Sequence, residues 1–368
     1  MIPIRFAHFA RKRAIRATVS IAALALLGAC HAVVLQPSGD VAAQQRDLLV
    51  ASTLLMLLII VPVMVAIVIV AWRYRASNDE ATYLPDWDHS TGLELLIWSA
   101  PLLIIICLGA MTWLGSHTLD PYRPLDRIDS TRAIDPKVQP LEVDVVAMDW
   151  KWLFFYPQYG VATVNQLALP VDRPVEFKIT STSMMNSFYI PALAGQIYAM
   201  PGMETKLNAV LNAPGTFEGF SANYSGAGFA GMHFKTLGLD AAGFDRWIAG
   251  VRGSNLQLSN ANYLKLEKPS ENVKPMGFSG FAPGLYGRIL NRCTHPGETC
   301  IADVMMQDMA KGSKTPVNDT TVAPGRNPKG ALFKSPQEKG TGPQQSQPLA
   351  PNKPGNAEPG SQKNRGVS

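Results

Sequence analysis

Met232 and His233 both have side chains that can bind a soft metal ion such as copper. They are adjacent in a segment expected to be extended, where consecutive side chains point to opposite sides. The thioether and the imidazole should therefore not face one ion, and His233 is expected to be a surface histidine. The other histidines considered show no metal-ligand spacing with one another: His31, His89, His117 and His295.

Two cysteines form a second candidate for chemistry. Cys293 and Cys300 enclose the segment Thr-His-Pro-Gly-Glu-Thr, and a local disulfide is expected in a compartment that permits oxidation. A loop this short would contribute on the order of 2 to 3 kcal/mol. A metal site is the alternative, but it would need more cysteines, and Cys107 lies in an apolar run while Cys30 is expected to carry lipid.

Glu94 is a carboxylate at the edge of a long apolar run. A glutamate near a helix N-terminus is an ordinary partner of the helix dipole, worth a few tenths of a kcal/mol and needing no function. The chain contains no Ser-His-Asp, paired-carboxylate or phosphate-loop constellation that predicts a catalytic site. No catalytic residue is therefore assigned.

The net charge of +5 is unevenly distributed. Residues 1–29 contribute +5 and residues 311–368 contribute +6, which leaves −6 for the part between them. No basic face or base-stacking motif lies in that part, so nucleic-acid binding is not expected. Residues 311–368 contain hardly any large apolar residue, and a disordered basic tail is predicted.

The N-terminus has the pattern of a bacterial lipoprotein signal peptide. Five basic residues precede the apolar run 21–27, which ends in Leu-Gly-Ala before Cys30. Residues 1–29 would be removed and Cys30 would carry the lipid. The alternative is an ordinary signal or an N-terminal helix with a chance cysteine, although the run is too short to span a bilayer.

Two longer uncharged runs, 48–71 and 95–114, predict transmembrane helices, because each can cross about 30 Å of hydrocarbon. Lipidation of Cys30 outside the cytoplasm would place segment 30–47 in the periplasm and the loop 72–94 inside. The arginines at the start of that loop fit the positive-inside rule. The rest of the chain would then be periplasmic, beginning with a linker, 115–137.

In segment 138–239, apolar and polar residues alternate in short runs bounded by Pro, Gly and Asn. This pattern predicts an antiparallel β-sandwich. The aromatic stretch 150–156 is interpreted as packing within this domain. Segment 240–310 predicts a helical extension: apolar residues recur at helical spacing behind Asp240, a plausible N-cap.

Several motifs resemble subunit II of the heme-copper oxidases, and in particular of the bacterial bo-type ubiquinol oxidases. The segments are Asp-Trp-Lys-Trp-Leu-Phe-Phe-Tyr-Pro from 149, Met-Met-Asn-Ser-Phe-Tyr-Ile-Pro-Ala-Leu from 184, Gln-Ile-Tyr-Ala-Met-Pro-Gly-Met from 196 and Phe-Ser-Ala-Asn-Tyr-Ser-Gly-Ala-Gly-Phe-Ala-Gly-Met from 220. The resemblance covers roughly residues 20–255 and implies a cupredoxin-like Greek-key barrel behind a two-helix transmembrane hairpin.

In copper-containing relatives the loop that aligns with 220–232 reads Cys-x-Glu-x-Cys-Gly-x-x-His-x-x-Met, and an upstream His completes a binuclear copper site. The alignment implies that this chain has lost the site, because serines stand at both cysteine positions and only the methionine is kept. Hydroxyl groups are poor ligands for such copper. The aligned positions are Asn186, Ser221, Asn223, Ser225, Phe229 and Met232.

The resemblance implies a subunit of a proton-pumping ubiquinol oxidase of the aerobic respiratory chain, in the bacterial inner membrane. This chain would hold no redox centre: hemes, copper and the ubiquinol site are expected in subunit I, its main partner, beside smaller membrane subunits and lipid. The resemblance also places Glu94 at the cytoplasmic entrance of a proton pathway. Two alternatives remain: a copper-bearing cytochrome c oxidase subunit II, and a periplasmic lipoprotein that binds ligands outside any respiratory complex.

Overall fold

The computed structural model describes residues 32–82 and 84–312. Its two long helices, α1 (Asp40–Arg73) and α2 (Thr91–Thr118), contain the predicted spans and extend beyond them at both ends. Both are long and apolar enough to cross a membrane, and most of their side chains are exposed to the surroundings. The chain is therefore membrane-anchored. The predicted signal peptide, Cys30 and the tail after Gly312 lie outside the described residues.

A β-sandwich follows the helices, which confirms the predicted fold class. One sheet has the strand order β12-β3-β2-β1-β5-β8 and the other has the order β4-β10-β9-β6-β7. The strands are β1 (Leu141–Met148), β2 (Lys151–Tyr156), β3 (Val161–Val164), β4 (Gln166–Pro170), β5 (Pro174–Ser181), β6 (Asn186–Tyr189), β7 (Ile197–Ala199), β8 (Thr205–Val210), β9 (Gly215–Ser221), β10 (His233–Leu239) and β12 (Met276–Phe278).

The sheets are mixed, whereas the alternation in the sequence predicted antiparallel strands throughout. Strand β1 pairs in parallel with β5, and β10 pairs in parallel with β4. The remaining neighbours in the two large sheets are antiparallel. Side-chain alternation reports which face of a strand is buried and carries no information about the direction of its neighbour, so this prediction was wrong in that detail.

Strand β2 is buried on both faces, which explains its unbroken apolar sequence. Trp152, Phe154 and Tyr156 belong to the core between the two large sheets. Leu153 and Phe155 point to the outer face, into a second core closed by the C-terminal segment. The aromatic stretch therefore packs within the domain, as interpreted from the sequence.

Most of the C-terminal segment covers the outer face of the six-stranded sheet, whereas its first helix contributes Phe244, Ile248 and Val251 to the core between the two large sheets. Asp240 caps α3 (Ala241–Arg252) by accepting a hydrogen bond from the Gly243 amide at 2.9 Å, as its sequence predicts. The segment continues through β11 (Gln257–Leu258), α4 (Asn260–Glu267), β13 (Gly280–Phe281), α5 (Leu285–Leu290) and α6 (Ile301–Gly312). Strands β11 and β13 pair as a small parallel sheet.

Helix α1 begins directly on the sandwich. The amides of Ser38 and Gly39 both donate to the carbonyl of Ala192, at 2.8 and 2.9 Å. A Cβ at Gly39 would lie 2.6 Å from the carbonyl oxygen of Val210, so only glycine allows this close approach. The first transmembrane helix and the sandwich are thus joined without a flexible linker.

Candidate functional site at the 220–234 loop

The loop after β9 brings the predicted copper-type positions together. Ser221 ends β9, a 3₁₀ turn spans Ala227–Gly231, and Met232 precedes β10. The Ser221 hydroxyl donates to Oδ1 of Asn186 at 3.2 Å, across 35 residues of sequence. The Ser225 hydroxyl lies 4.0 Å from the Met232 sulfur. Asn186, Ser221, Ser225 and Met232 therefore form a spatial cluster, and the Phe229 ring packs on Tyr224 with 5.5 Å between centroids.

The polar members of this cluster are satisfied within the protein. Asn186, Ser221 and Ser225 are buried, and the Asn186 amide donates to the carbonyl of Met184 at 3.1 Å. The Asn223 amide donates to the carbonyl of Met185 at the same distance. Neutral side chains hydrogen-bonded in this way keep the loop folded without the cost of a buried charge.

The residues present do not fit a binuclear copper site. The aligned positions offer two hydroxyls, two amides and a phenyl ring, none of which replaces a thiolate or an imidazole for copper. Met232 is the one soft donor, and it is buried. His233 faces away as predicted: its Nδ1 lies 2.7 Å from Oε1 of Glu218, and the imidazole is half-exposed. Among the described residues no group of three metal-ligating side chains forms.

Trp150 covers the loop from the opposite hairpin. Its indole Nε1 donates to the carbonyl of Ser225 at 2.9 Å. A Cβ at Gly228 would come within 2.5 Å of the indole, and Gly226 has a φ of 103°. Both glycines are therefore required, one for the close approach of the ring and one for its backbone conformation.

The geometry of the β1–β2 turn places this ring. Met148 pairs with Lys151, which leaves a two-residue turn with Trp150 at a φ of 63°. Positive φ is uncommon for a bulky residue and marks local strain held by surrounding contacts. The sequence indicated only that this tryptophan packs within the domain; its contact with residues 225–228 depends on the fold of a loop that is distant in sequence.

A buried lysine in the same hairpin was also missed. The Lys151 ammonium is fully buried and donates to the carbonyls of Asp149 and Lys268 and to the Ser270 hydroxyl, at 3.1, 2.9 and 2.9 Å. Burial lowers the pKa of this group. The bonds to Lys268 and Ser270 fasten the segment after α4 to the hairpin that carries Trp150.

The remaining candidate sites lie away from the loop. Cys293 and Cys300 form a disulfide. Glu94 lies in the first turn of α2, and its Oε1 is 2.7 Å from Nδ1 of His89. Both side chains are about half-exposed, so solvent reaches the pair. No partner for His89 was predicted from the sequence, although a spacing of five residues across a helix start allows this contact.

Asp144 is a buried carboxyl that the sequence pattern did not reveal. It lies on the outer face of β1 and is 6% exposed, and its Oδ1 has no hydrogen-bond partner. Burial raises its pKa to about 7, helped by the charge of Glu142. Lys178, which faces Asp144 from β5, bonds instead to Glu142 at 2.6 Å.

Comparison with known proteins gives the same family as these motifs. Residues 157–236 match the family described as cytochrome c oxidase subunit II, periplasmic domain, and residues 252–297 match the COX aromatic rich motif. Among solved structures, the periplasmic domain of subunit II of cytochrome oxidase from Bradyrhizobium japonicum is 20% identical and covers 32% of this chain and 96% of that chain, with a TM-score of 0.30.

Relatives that match most of this chain give a more specific assignment. A Pseudomonas aeruginosa protein named cytochrome bo(3) ubiquinol oxidase subunit 2 is 48% identical over 76% of this chain and 82% of that protein. Ubiquinol oxidase subunit 2 of Acetobacter aceti is 45% identical over 72% of this chain and 84% of that protein. Quinol oxidase subunit 2 of Bacillus subtilis is 36% identical over 69% and 77%. On this similarity, the chain belongs to the ubiquinol oxidase subunit 2 family, within the heme-copper oxidase subunit II proteins.

Proposed function

We propose that this chain is the non-catalytic subunit II of a proton-pumping ubiquinol oxidase and holds no redox centre of its own. One observation carries the proposal: the positions that align with the copper ligands of cytochrome c oxidases present hydroxyl, amide and phenyl groups, and Asn186, Ser221, Ser225 and Met232 among them lie together. Electrons would then pass from membrane ubiquinol directly to hemes and copper in subunit I. Membership of an oxidase subunit family supports the hetero-oligomer.

The work of the chain in this proposal is structural. Helices α1 and α2 pack on subunit I and on smaller membrane subunits, and their exposed apolar surfaces suit that contact or lipid. The sandwich lies on the periplasmic side of the bacterial inner membrane, and Cys30 carries a lipid after removal of residues 1–29. The direct join between α1 and the sandwich favours a domain held in one orientation above the membrane.

Glu94 is proposed as the cytoplasmic entrance of a proton pathway into subunit I. Its carboxylate lies at the start of α2, contacts His89 and is reached by solvent. Two titratable groups in contact at a membrane surface can receive protons from water and pass them on. A structural interaction with the helix dipole is the competing role, and it predicts no effect on proton uptake.

Purification of the complex from membranes by a tag on this chain tests the proposal. We expect a heme spectrum, oxygen uptake driven by ubiquinol, and only the copper that belongs to subunit I. Direct oxidation of a soluble cytochrome c, with two further coppers giving a mixed-valence EPR signal, would contradict it and support the cytochrome c oxidase alternative. Recovery of the chain with no heme-containing subunit would support a separate binding lipoprotein.

A further inference from the structure

A cavity with a mixed polar and apolar lining lies where the two long helices meet the sandwich. Its volume is about 290 Å³. It is bounded by the first turns of α1, by the end of α2, by the linker that follows and by the underside of the sandwich near Asn208. None of the sites described above uses it.

The depth of this cavity can be read from the helices. A Cβ at Gly115 would lie 2.9 Å from the side chain of Leu48, so these two residues, at the outer ends of the apolar runs, are at the same height. Gln44 and Thr118, which line the cavity, lie three to four residues farther out, or about 5 Å at the helical rise. The headgroup layer is roughly 5 to 7 Å thick on each side of the hydrocarbon.

The aromatic residues agree with this depth. Trp113 is 66% exposed, one turn below the cavity, and its ring packs on His117 with 4.4 Å between centroids. Exposed tryptophan at the end of a span marks the level where hydrocarbon meets headgroups. The cavity therefore opens at the height of the phosphates and the groups attached to them.

The charges in the cavity distinguish between ligands. Asp40 is satisfied by Arg127 and by Gln44. The Asp120 carboxylate accepts a hydrogen bond from the Tyr122 amide at 2.9 Å, and in the described part of the chain no cation lies within ion-pair distance of it. Arg123 bonds Asp126 at 2.8 Å, and its guanidinium is 46% exposed, with further donors available. Three carboxylates and two guanidinium groups give the lining a net negative charge, which disfavours a free phosphate or an anionic headgroup.

We propose that this cavity binds the headgroup of a zwitterionic phospholipid of the phosphatidylethanolamine class. The ammonium group pairs with Asp120, and the phosphate accepts hydrogen bonds from Arg123. The acyl chains continue along the exposed apolar surface of α1 and α2, where Leu49 and Leu114 are 48% and 62% exposed. This inference rests on the membrane anchoring of the chain and is independent of which subunit carries the redox centres.

Lipid retention by the purified oxidase complex tests the inference. The complex is incubated in mixed micelles with equal amounts of phosphatidylethanolamine and phosphatidylglycerol, separated from free lipid, and its bound lipids are counted by native mass spectrometry. We expect tight binding of phosphatidylethanolamine to the wild type. Each of Asp120→Asn and Arg123→Gln should weaken that binding about tenfold, since each removes a charge-assisted hydrogen bond.

Asp245→Asn and Arg246→Gln on the exposed face of α3 are matched controls, because they remove the same charges from residues that do not line the cavity. Equal retention of the two lipids by the wild type, or equal losses in the α3 controls, would overturn the inference. Accessibility of the cavity is tested with Asp120→Cys, which should react with a thiol reagent in the delipidated complex. A failure to react would show that another subunit fills the space and would also overturn the inference. Ubiquinol oxidation by the same samples separates a failure here from a failure of the proposed function.

Discussion

Arg127 donates two hydrogen bonds to the carboxylate of Asp40, at 2.9 and 3.1 Å, across 87 residues of sequence. Asp40 begins α1 and its side chain is 5% exposed, while Arg127 lies in the linker after α2. The pair ties the linker to the point where α1 meets the sandwich. The two membrane helices and the periplasmic domain are thus held together by one bidentate ion pair as well as by the main chain.

Arg127→Gln should therefore loosen the linker. The substitution leaves a buried carboxylate without its cation, and loss of one partner of a buried pair costs roughly 3 kcal/mol or more. Hydrogen exchange measured by mass spectrometry on the full chain should show faster exchange in residues 119–137 and in the first turn of α1. Arg46→Gln, which breaks an exposed pair with Asp47, is the control and should change little. Equal effects of the two variants would refute the argument.

Gly228→Ala should displace Trp150 from the loop. The new Cβ would lie 2.5 Å from the indole, and overpacking of this kind costs roughly 1 to 3 kcal/mol. The hydrogen bond from the indole to the Ser225 carbonyl would be lost, so the variant should be less stable in urea and its tryptophan emission should shift to the red. Gly250→Ala in α3 has open space around it and should be neutral or slightly stabilising. An unchanged emission in Gly228→Ala would contradict the proposed cover.

Restoring the missing donors tests whether the cluster still has the geometry of a metal site. The variant combines Asn186→His, Ser221→Cys, Ser225→Cys and Phe229→His, and keeps Met232. We expect the wild type to retain no copper after dialysis and the variant to bind it with a thiolate-to-copper absorption band. A variant that changes only Asn186 and Phe229 lacks thiolates and serves as the control. If the variant with all four substitutions folds but binds no copper, the loop has lost the spacing of the ligands as well as the ligands themselves.

Asp144 should make the stability of the domain depend on pH. Its pKa of about 7 in the folded chain lies above the ordinary value of 3.8, so the folded state binds the proton more tightly. The resulting stabilisation is complete below pH 4 and is lost as the pH rises through 7, and its upper limit is roughly 4 kcal/mol. Asp144→Asn should flatten this part of the stability curve.

Urea unfolding of the full chain in detergent, followed by tryptophan fluorescence between pH 4 and 8.5, measures this dependence. The exposed carboxyl of Asp245 on α3 provides the matched control: Asp245→Asn should follow the wild-type curve. Both variants leave the other ionisable groups around Asp144 unchanged. These groups are Glu142, Glu176, Lys178, Glu204 and Tyr286. A wild-type slope that persists in Asp144→Asn would assign the effect to one of those groups.

The sequence predicted the two spans and the sandwich because apolar length and strand alternation are local properties. It also located the copper-type cluster, since the resemblance supplied the alignment. It did not predict the parallel pairing of β1 with β5, the pair between Asp40 and Arg127, or the burial of Asp144. Each of these depends on a partner that is distant in sequence: Asp144 is buried partly because the segment around Tyr286 covers β1.

Glu94→Gln tests the proposed proton entrance. The substitution keeps the size of the side chain and its hydrogen-bonding capacity but removes its titratable proton, so a role in the fold should survive while proton uptake fails. In purified complex reconstituted into vesicles, we expect slower ubiquinol oxidation and slower proton uptake from the cytoplasmic side, with an unchanged heme spectrum. Asp88→Asn, in the same exposed loop, is the control and should behave as the wild type. Unchanged turnover and pumping in Glu94→Gln would contradict the proton role and show that Glu94 acts only structurally, through the helix dipole and His89.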